Sequence, residues 1–144
     1  MQTNCVLCAM TDDKAIWSND KLRVIAVDDE AFPGYIRVIW KAHVPEMTDL
    51  SDTDRELLYK VLLIVELTLR NTMQPDKINL AQFGNMVPHL HWHIIARYRD
   101  DSHFPESIWG TKQRDNNPET LQMRRKLALM MKTQLRQAFE NSNL

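Results

Sequence analysis

The sequence of 144 residues has little glycine and cysteine, no excess of charge of one sign, and no long hydrophobic run. Its 3 glycines are scattered, and no repeat or low-complexity tract occurs, which argues against a linker and against a glycine-rich phosphate loop. The longest apolar run, VLLIV at 61–65, is far too short to span a bilayer, and the N-terminus lacks the pattern of a secretion signal. We therefore expect a soluble, cytoplasmic protein without a membrane segment.

The charge balance argues against nucleic acid as a partner. Lys and Arg total 18 and Asp and Glu total 19, so the formal net charge is -1, and there is no long run of like charge. The only cysteines, Cys5 and Cys8, form a C-x-x-C pair, which is too small for a secreted disulfide framework. In a reduced cell such a pair is half of a metal site, a redox pair or two small buried side chains, and its spacing alone leaves all three open.

The length indicates one domain over residues 1–144, and the hydrophobic pattern predicts its strands and two helices. A helix is expected after Ser51, which has the S-x-x-D capping spacing, and a second helix at about 117–141, with Pro118 in its first turn. Because strands and helices do not alternate regularly, we expect an α+β domain with an antiparallel sheet of about five strands. Runs of β-branched and aromatic residues place these strands at 16–19, 22–29, 35–40, 77–83 and 89–98.

Three of the 5 histidines occupy alternate positions of one hydrophobic run, PHLHWHIIAR at 88–97. In a strand, side chains two residues apart share a face, so His89, His91 and His93 are expected on the same side. The outer two would lie roughly 13 Å apart, whereas a zinc–nitrogen bond is about 2.1 Å, so one ion cannot bind all three. Three interpretations remain: a polar strand face, a metal site using at most two of them, or a phosphorus-attacking nucleophile, His91, between two assisting histidines.

The segment HLHWHII at 89–95 matches the pattern H-φ-H-φ-H-φ-φ, where φ is hydrophobic, and resembles the signature of the histidine triad (HIT) family of nucleotide hydrolases and transferases. Two further segments are similar to the family in the same order: VIAVDDEAFPGYIRVIWKAH at 24–43 and INLAQFGNMVPHLHWH at 78–93. The resemblance covers about residues 5–110. It implies the HIT-like α+β fold, a homodimer, and chemistry at the α-phosphate of a nucleotide.

The same resemblance implies different roles for the three histidines. His91 corresponds to the nucleophile, which attacks the α-phosphorus and forms a nucleotidyl-histidine that water then hydrolyses. His93 corresponds to the histidine that hydrogen-bonds the phosphate, and His89 to the one that supports the cluster. The covalent step requires no metal, although Mg2+ can accompany a polyphosphate substrate.

Four residues outside the triad correspond to substrate-binding positions of the family. Asp28 matches the acidic residue that binds ribose hydroxyls, and Asn79 a polar strand residue near the phosphate or the nucleophile. Gly84 lets its loop approach the substrate, and Asn85 can donate to a phosphate oxygen. Without the resemblance, Asp28 is equally well an ordinary turn residue and Asn79 an ordinary strand residue. Met86 stands where many members have serine or threonine to help the leaving group, which leaves the substrate open.

In some relatives of the family, two cysteines and two histidines hold a structural zinc ion. Cys5, Cys8, His43 and His89 occupy those positions here, so the resemblance implies a Cys2His2 set. The alternative is a pair of reduced cysteines beside a histidine that only braces the site.

These expectations combine into an enzyme that acts on a nucleoside phosphoramidate or a dinucleoside polyphosphate. Two alternatives stay open: a nucleotide-binding or regulatory module with little turnover, and a zinc-dependent hydrolase, which the histidine spacing favours less.

Overall fold

The structure of the chain is a computed structural model that describes residues 4–144. Its elements are β1 (Trp17–Ser18), β2 (Leu22–Ala26), β3 (Tyr35–Trp40), a 3-10 turn (Met47–Asp49), α1 (Asp52–Met73), β4 (Lys77–Ala81), β5 (His91–Arg97) and α2 (Pro118–Glu140). Within these residues the five strands form one antiparallel sheet in the order β1-β2-β3-β5-β4, accompanied by the two long helices, which confirms the predicted α+β class. The histidine strand β5 therefore lies between two hydrogen-bonded neighbours.

Four strands are shorter than the sequence predicts, namely β1, β2, β4 and β5, and the differences at β2 and β5 affect the site. The predicted strand 89–98 begins only at His91, because the amide of His89 donates to Val87 in a turn that precedes the strand. The predicted strand 22–29 ends at Ala26, because the chain then turns at Asp29, whose carboxylate accepts the amide of Ala31.

Both helices pack on one face of the sheet. Side chains that alternate along the strands, such as Val24, Val38 and Ile94, lie in one buried cluster with apolar side chains of α1 and α2. α1 starts where Ser51 accepts the amide of Asp54, as its capping signal predicts. None of the helices within 4–144 is long and apolar enough to cross a membrane.

The opposite face of the sheet carries the histidines. At one end of this face, the segment around Cys5 and Leu7 packs on Ile39 of β3. At the other end, Ile95 packs with Phe32 and with the loop that follows β5. His91 and His93 lie between these two clusters, and their side chains are buried.

Gly34 sets the turn between β2 and β3. Its φ of +82° is in the left-handed region, and a Cβ atom there would lie 2.3 Å from Sδ of Met73 and 3.3 Å from Cβ of Ala96. The turn can pack this closely against the end of α1 and against β5 only because this residue has no side chain.

Candidate active site and metal site

Alternation along β5 places His91 and His93 side by side on the face away from the helices. Their side chains are buried, and their rings meet edge to face with centroids 5.0 Å apart. Trp92 and Ile94 lie on the other face and belong to the core. The common face predicted for these two histidines is confirmed.

The backbone fixes the tautomer of His91. Its Nδ1 lies 2.6 Å from the carbonyl oxygen of His89, an acceptor, so Nδ1 carries the proton and donates it. Burial lowers the pKa of His91, with a further contribution from the charge of Arg37, although the hydrogen bond to His89 opposes the shift. The ring is therefore neutral near pH 7, and Nε2 keeps the lone pair that attack on phosphorus requires.

A tyrosine holds His93. The hydroxyl oxygen of Tyr35 lies 2.6 Å from Nδ1 of His93, and their rings meet edge to face. Burial, followed by the positive charges of Arg37 and His91, lowers the pKa of His93 to about 4. In the tautomer in which Tyr35 donates to Nδ1, Nε2–H of His93 is free to donate to a phosphate oxygen.

The side chain of His89 is directed to a different group. Its Nδ1 lies 3.4 Å from Sγ of Cys5, 3.4 Å from Sγ of Cys8 and 3.2 Å from Nδ1 of His43. Its Nε2 donates to the backbone oxygen of Trp40. Both ring nitrogens are thus engaged at the Cys5 end of this face, and what His89 contributes to His91 is its backbone carbonyl.

The four ligand atoms of Cys5, Cys8, His43 and His89 all lie within 4.8 Å of one another and form a group that can hold a metal ion. Tetrahedral zinc with bonds of about 2.3 Å to sulfur and about 2.0–2.1 Å to nitrogen requires ligand atoms about 3.3–3.8 Å apart. The sulfur–nitrogen distances of 3.3–3.4 Å and the nitrogen–nitrogen distance of 3.2 Å are close to that requirement.

The surroundings of this group favour ligands without protons. Burial opposes ionisation of Cys5, but the amides of Cys8 and Leu7 outweigh it, so the pKa of this thiol is lowered. The bond from Nε2 of His89 to the carbonyl of Trp40 keeps the lone pair on Nδ1, the nitrogen beside the cysteines.

The sequence profile of the HIT domain matches residues 10–100. The chain belongs to the HIT family. Protein hit of Bacillus subtilis is 23% identical over 128 residues, which are 83% of this chain and 88% of that protein. Bis(5'-adenosyl)-triphosphatase of Saccharomyces cerevisiae is 30% identical over 73 residues, which are 46% of this chain and 35% of that protein.

The crystal structure of a histidine triad protein from Bradyrhizobium japonicum has the same fold. It superimposes with a TM-score of 0.65 at 27% sequence identity, over 81% of this chain and 88% of that one. The predicted family is thereby confirmed together with the fold.

Asn79, which corresponds to a substrate-binding position of the HIT family, accepts a hydrogen bond from an arginine. Oδ1 of Asn79 accepts from Nη1 of Arg97 at 2.8 Å, and Arg97 also forms a buried ion pair with Asp101 and donates to the backbone of Glu106. Asn79 and Arg97 lie on the same sheet face as the histidines. Oδ1 of Asn79 therefore helps to hold Arg97, which fixes the loop after β5, while the NH2 group of Asn79 remains for a substrate.

The loop that leads from β4 to the triad contains Gly84, Asn85 and Met86. The φ of Gly84 is +76°, while a Cβ atom there would meet nothing closer than 3.6 Å, so the backbone conformation rather than crowding requires glycine. The side chain of Asn85 is exposed, and that of Met86 is 96% exposed.

Asp28 lines a cleft of about 750 Å3 between the end of β2 and helix α2. The cleft also contains basic side chains of α2, namely Arg125, Lys132 and Arg136. Tyr35, which contacts His93, lines the same cleft. The ribose-binding role of Asp28 stays a prediction.

An aromatic pair that the sequence interpretation did not assign stands beside His93. Trp109, from the loop after β5, meets the ring of His93 edge to face at 4.9 Å, and Phe83 meets Trp109 at 5.2 Å. Both side chains are at least half exposed. Two large exposed aromatic residues in otherwise polar loops were the sequence signal that could have identified this apolar wall.

Proposed function

We propose that the protein is a nucleotide hydrolase or transferase that acts at the α-phosphate through a covalent nucleotidyl group on Nε2 of His91. The substrate class is a dinucleoside polyphosphate or a nucleoside phosphoramidate. The observation that carries this proposal is the bond from Nδ1 of His91 to the carbonyl of His89, which leaves Nε2 as a neutral nucleophile on the face of the sheet away from the helices. The yeast relative named as a bis(5'-adenosyl)-triphosphatase supports the polyphosphate class.

The covalent step requires four groups of this chain. The lone pair of His91 Nε2 attacks the α-phosphorus, the bond to the leaving group breaks, and the leaving group takes that electron pair. The carbonyl of His89 stabilises the positive charge that develops on the ring, while Nε2–H of His93, held by Tyr35, donates to a phosphate oxygen. Water, or another acceptor in a transferase, then attacks the phosphorus, and the electron pair returns to Nε2.

A nucleotide-binding module with little turnover is the second candidate, and one observation favours it. Met86 stands where many HIT members have serine or threonine, and its exposed thioether has no proton to give to a leaving group. Such a protein would bind the nucleotide in the same place without turning it over rapidly.

The deciding experiment is intact-protein mass spectrometry after rapid mixing with adenosine phosphoramidate or diadenosine triphosphate, with and without Mg2+. We expect a mass increase of one AMP group that peptide mapping assigns to His91, together with released AMP. The H91A variant should lose both signals, and the matched control H103A, a histidine in the loop after β5, should keep them. Nucleotide binding with neither adduct nor product in the wild type would favour the binding module instead.

We propose a structural Zn2+ for the Cys5, Cys8, His43 and His89 group, supported by its distances and by the lowered pKa of Cys5. When bound, the ion would tie the N-terminal segment to the ends of β3 and β5. Cys5 and Cys8 would be its thiolate ligands, which fits a reducing, cytoplasmic location.

A homodimer is proposed on the family resemblance. Tyr59, Leu63 and Leu67 are exposed at i, i+4 and i+8 of α1 and form one apolar stripe. Light scattering should give twice the chain mass for the wild type and a lower mass for L63E. A monomeric wild type would contradict this proposal.

A further inference from the structure

Arg37 is a charged residue in the middle of a strand whose other five residues are buried. β3 is a central strand of the sheet, and the pairing register places Arg37 directly opposite His93 on β5 and Ile25 on β2. Its side chain therefore emerges on the histidine face. A guanidinium group at such a position needs a partner, because partial burial of an unpaired charge is costly.

The described part of the chain provides no such partner. Nε of Arg37 is buried without a hydrogen-bond partner, and none of the ion pairs within residues 4–144 includes this arginine. Its guanidinium carbon lies 5.9 Å from the centroid of the Tyr35 ring. Two other arginines on the same sheet face are paired, Arg23 with Asp12 and Arg97 with Asp101.

We propose that Arg37 binds the substrate, with its guanidinium group donating to non-bridging oxygens of the α-phosphate. The proposal rests on the proposed function of His91. Cβ atoms of directly opposite residues lie about 5 Å apart and diagonal neighbours about 7–8 Å, so the long side chain of Arg37 reaches the space above both His93 and His91. A phosphate there would provide the oxygens that the buried Nε lacks, in the two-pronged geometry that guanidinium favours.

This assignment gives Arg37 a role that no histidine performs. The α-phosphate gains negative charge on its equatorial oxygens as His91 attacks, and a fixed cation in a partly buried site stabilises that charge. Arg37 lies on the side of β5 opposite to Phe83, so the phosphate would sit between the guanidinium group and the aromatic wall.

The test compares R37M and R37K with the wild type and with R70Q, which removes an exposed arginine near the end of α1. Calorimetry with AMP or GMP, whichever the wild type binds more tightly, is performed at pH 8, where the histidines are neutral. Adduct formation is then timed with adenosine phosphoramidate and with diadenosine triphosphate. We expect R37M to lose ten- to hundredfold in affinity and at least as much in the adduct rate with both substrates, R37K to lose less, and R70Q to behave as the wild type.

The outcomes separate this inference from the proposed function. A wild type that binds the nucleotide but forms no adduct overturns the enzyme, while loss of nucleotide affinity in R37M still supports phosphate binding by Arg37. A wild type that forms the adduct, with R37M binding and reacting like R70Q, overturns the role of Arg37 alone. If R37M changes the pH dependence of the adduct rate but leaves the nucleotide affinity at pH 8 unchanged, the role of Arg37 is also overturned, because Arg37 would then act only on the histidines. If R37M does not fold by circular dichroism, R37Q replaces it in every comparison.

Discussion

The hydroxyl oxygen of Tyr35 lies 2.6 Å from Nδ1 of His93, so a side chain of β3 orients a histidine of β5. Removing the hydroxyl in Y35F leaves Nδ1 without its partner and frees the ring to change tautomer. Because such a bond contributes about 1 kcal/mol, we expect kcat to fall about five- to tenfold with little change in KM. Steady-state kinetics on the substrate that labels His91 would measure this. Y59F, which removes an exposed hydroxyl on α1, is the matched control, and equal rates for the two variants would contradict the role of Tyr35.

The depressed pKa of His93 predicts that stability falls in mild acid. Its folded-state pKa of about 4 is below the usual pKa of a histidine, 6.5, so the unfolded chain binds the proton more readily. This contribution is fully present above pH 6.5 and is lost as the pH falls toward 4. From this residue alone we expect the free energy of unfolding to decrease by about 2 kcal/mol between pH 7 and pH 5.

Urea unfolding at both pH values measures this change. The H93N variant has no ring to titrate at this position. Its free energy of unfolding should therefore change less between pH 7 and pH 5, by the amount that His93 contributes in the wild type. The same pH dependence in H93N and in the wild type would show that other groups cause the loss.

The ion pair of Arg97 and Asp101 is buried and anchors the loop that carries Trp109. The R97M variant would leave the carboxylate of Asp101 buried without its cation, and breaking such a pair costs about 3–5 kcal/mol. We expect a lower denaturation midpoint and weaker protection of residues 101–110 from proteolysis. K112M removes an ion pair between exposed side chains, Lys112 and Asp115, and should lower stability much less, because water screens exposed pairs. Similar losses for the two variants would refute this account.

Metal removal tests the zinc proposal. Purified protein should contain about one zinc ion per chain, and a chelator should lower its Tm, because an ion that binds only the folded state stabilises that state. The C5S variant should contain little zinc, and its Tm should not respond to the chelator. Absence of metal from the wild type, purified without chelator and under reducing conditions, would rule out the site.

Replacing each of the two positive-φ glycines by alanine should lower the stability of the protein by different amounts. G84A introduces only backbone strain, and we expect it to lower the free energy of unfolding by about 1 kcal/mol. G34A adds a clash with Met73 to the same strain and should lose at least twice as much. Thermal unfolding of both variants tests the order, and a larger loss for G84A would contradict the packing argument.

The sequence pattern predicted those parts of the site that depend on local alternation. His91 and His93 share a face because two-residue periodicity in a strand requires it, whatever the partner strands are. The position of the His89 ring depends on where β5 begins, and a turn at Val87 decides that. Alternation along a predicted strand could not reveal that His89 lies outside it.

Contacts between distant segments could not be predicted from one sequence. Tyr35 and Arg37 reach the histidines through the register of β3 against β5, which joins residues more than 50 positions apart. The charged residue in YIRVIW, Arg37, is visible in the sequence, but a role for it can be inferred only when the strand opposite it is known. The end of β2 at Ala26 and the position of α2 beside Asp28 likewise depend on contacts that one sequence does not reveal.

The central position of β5 also determines how the reaction centre can open. Backbone groups of His91 and His93 lie in ladders with β3, and β4 pairs along the other edge of β5 from His93 to Arg97. Amides so enclosed exchange hydrogen with solvent only when the sheet itself opens, whereas loops and edge strands exchange through local fluctuations. We therefore expect the strand that carries the attacking nitrogen to exchange slowly, and the mobility needed for substrate entry to lie in the surrounding loops.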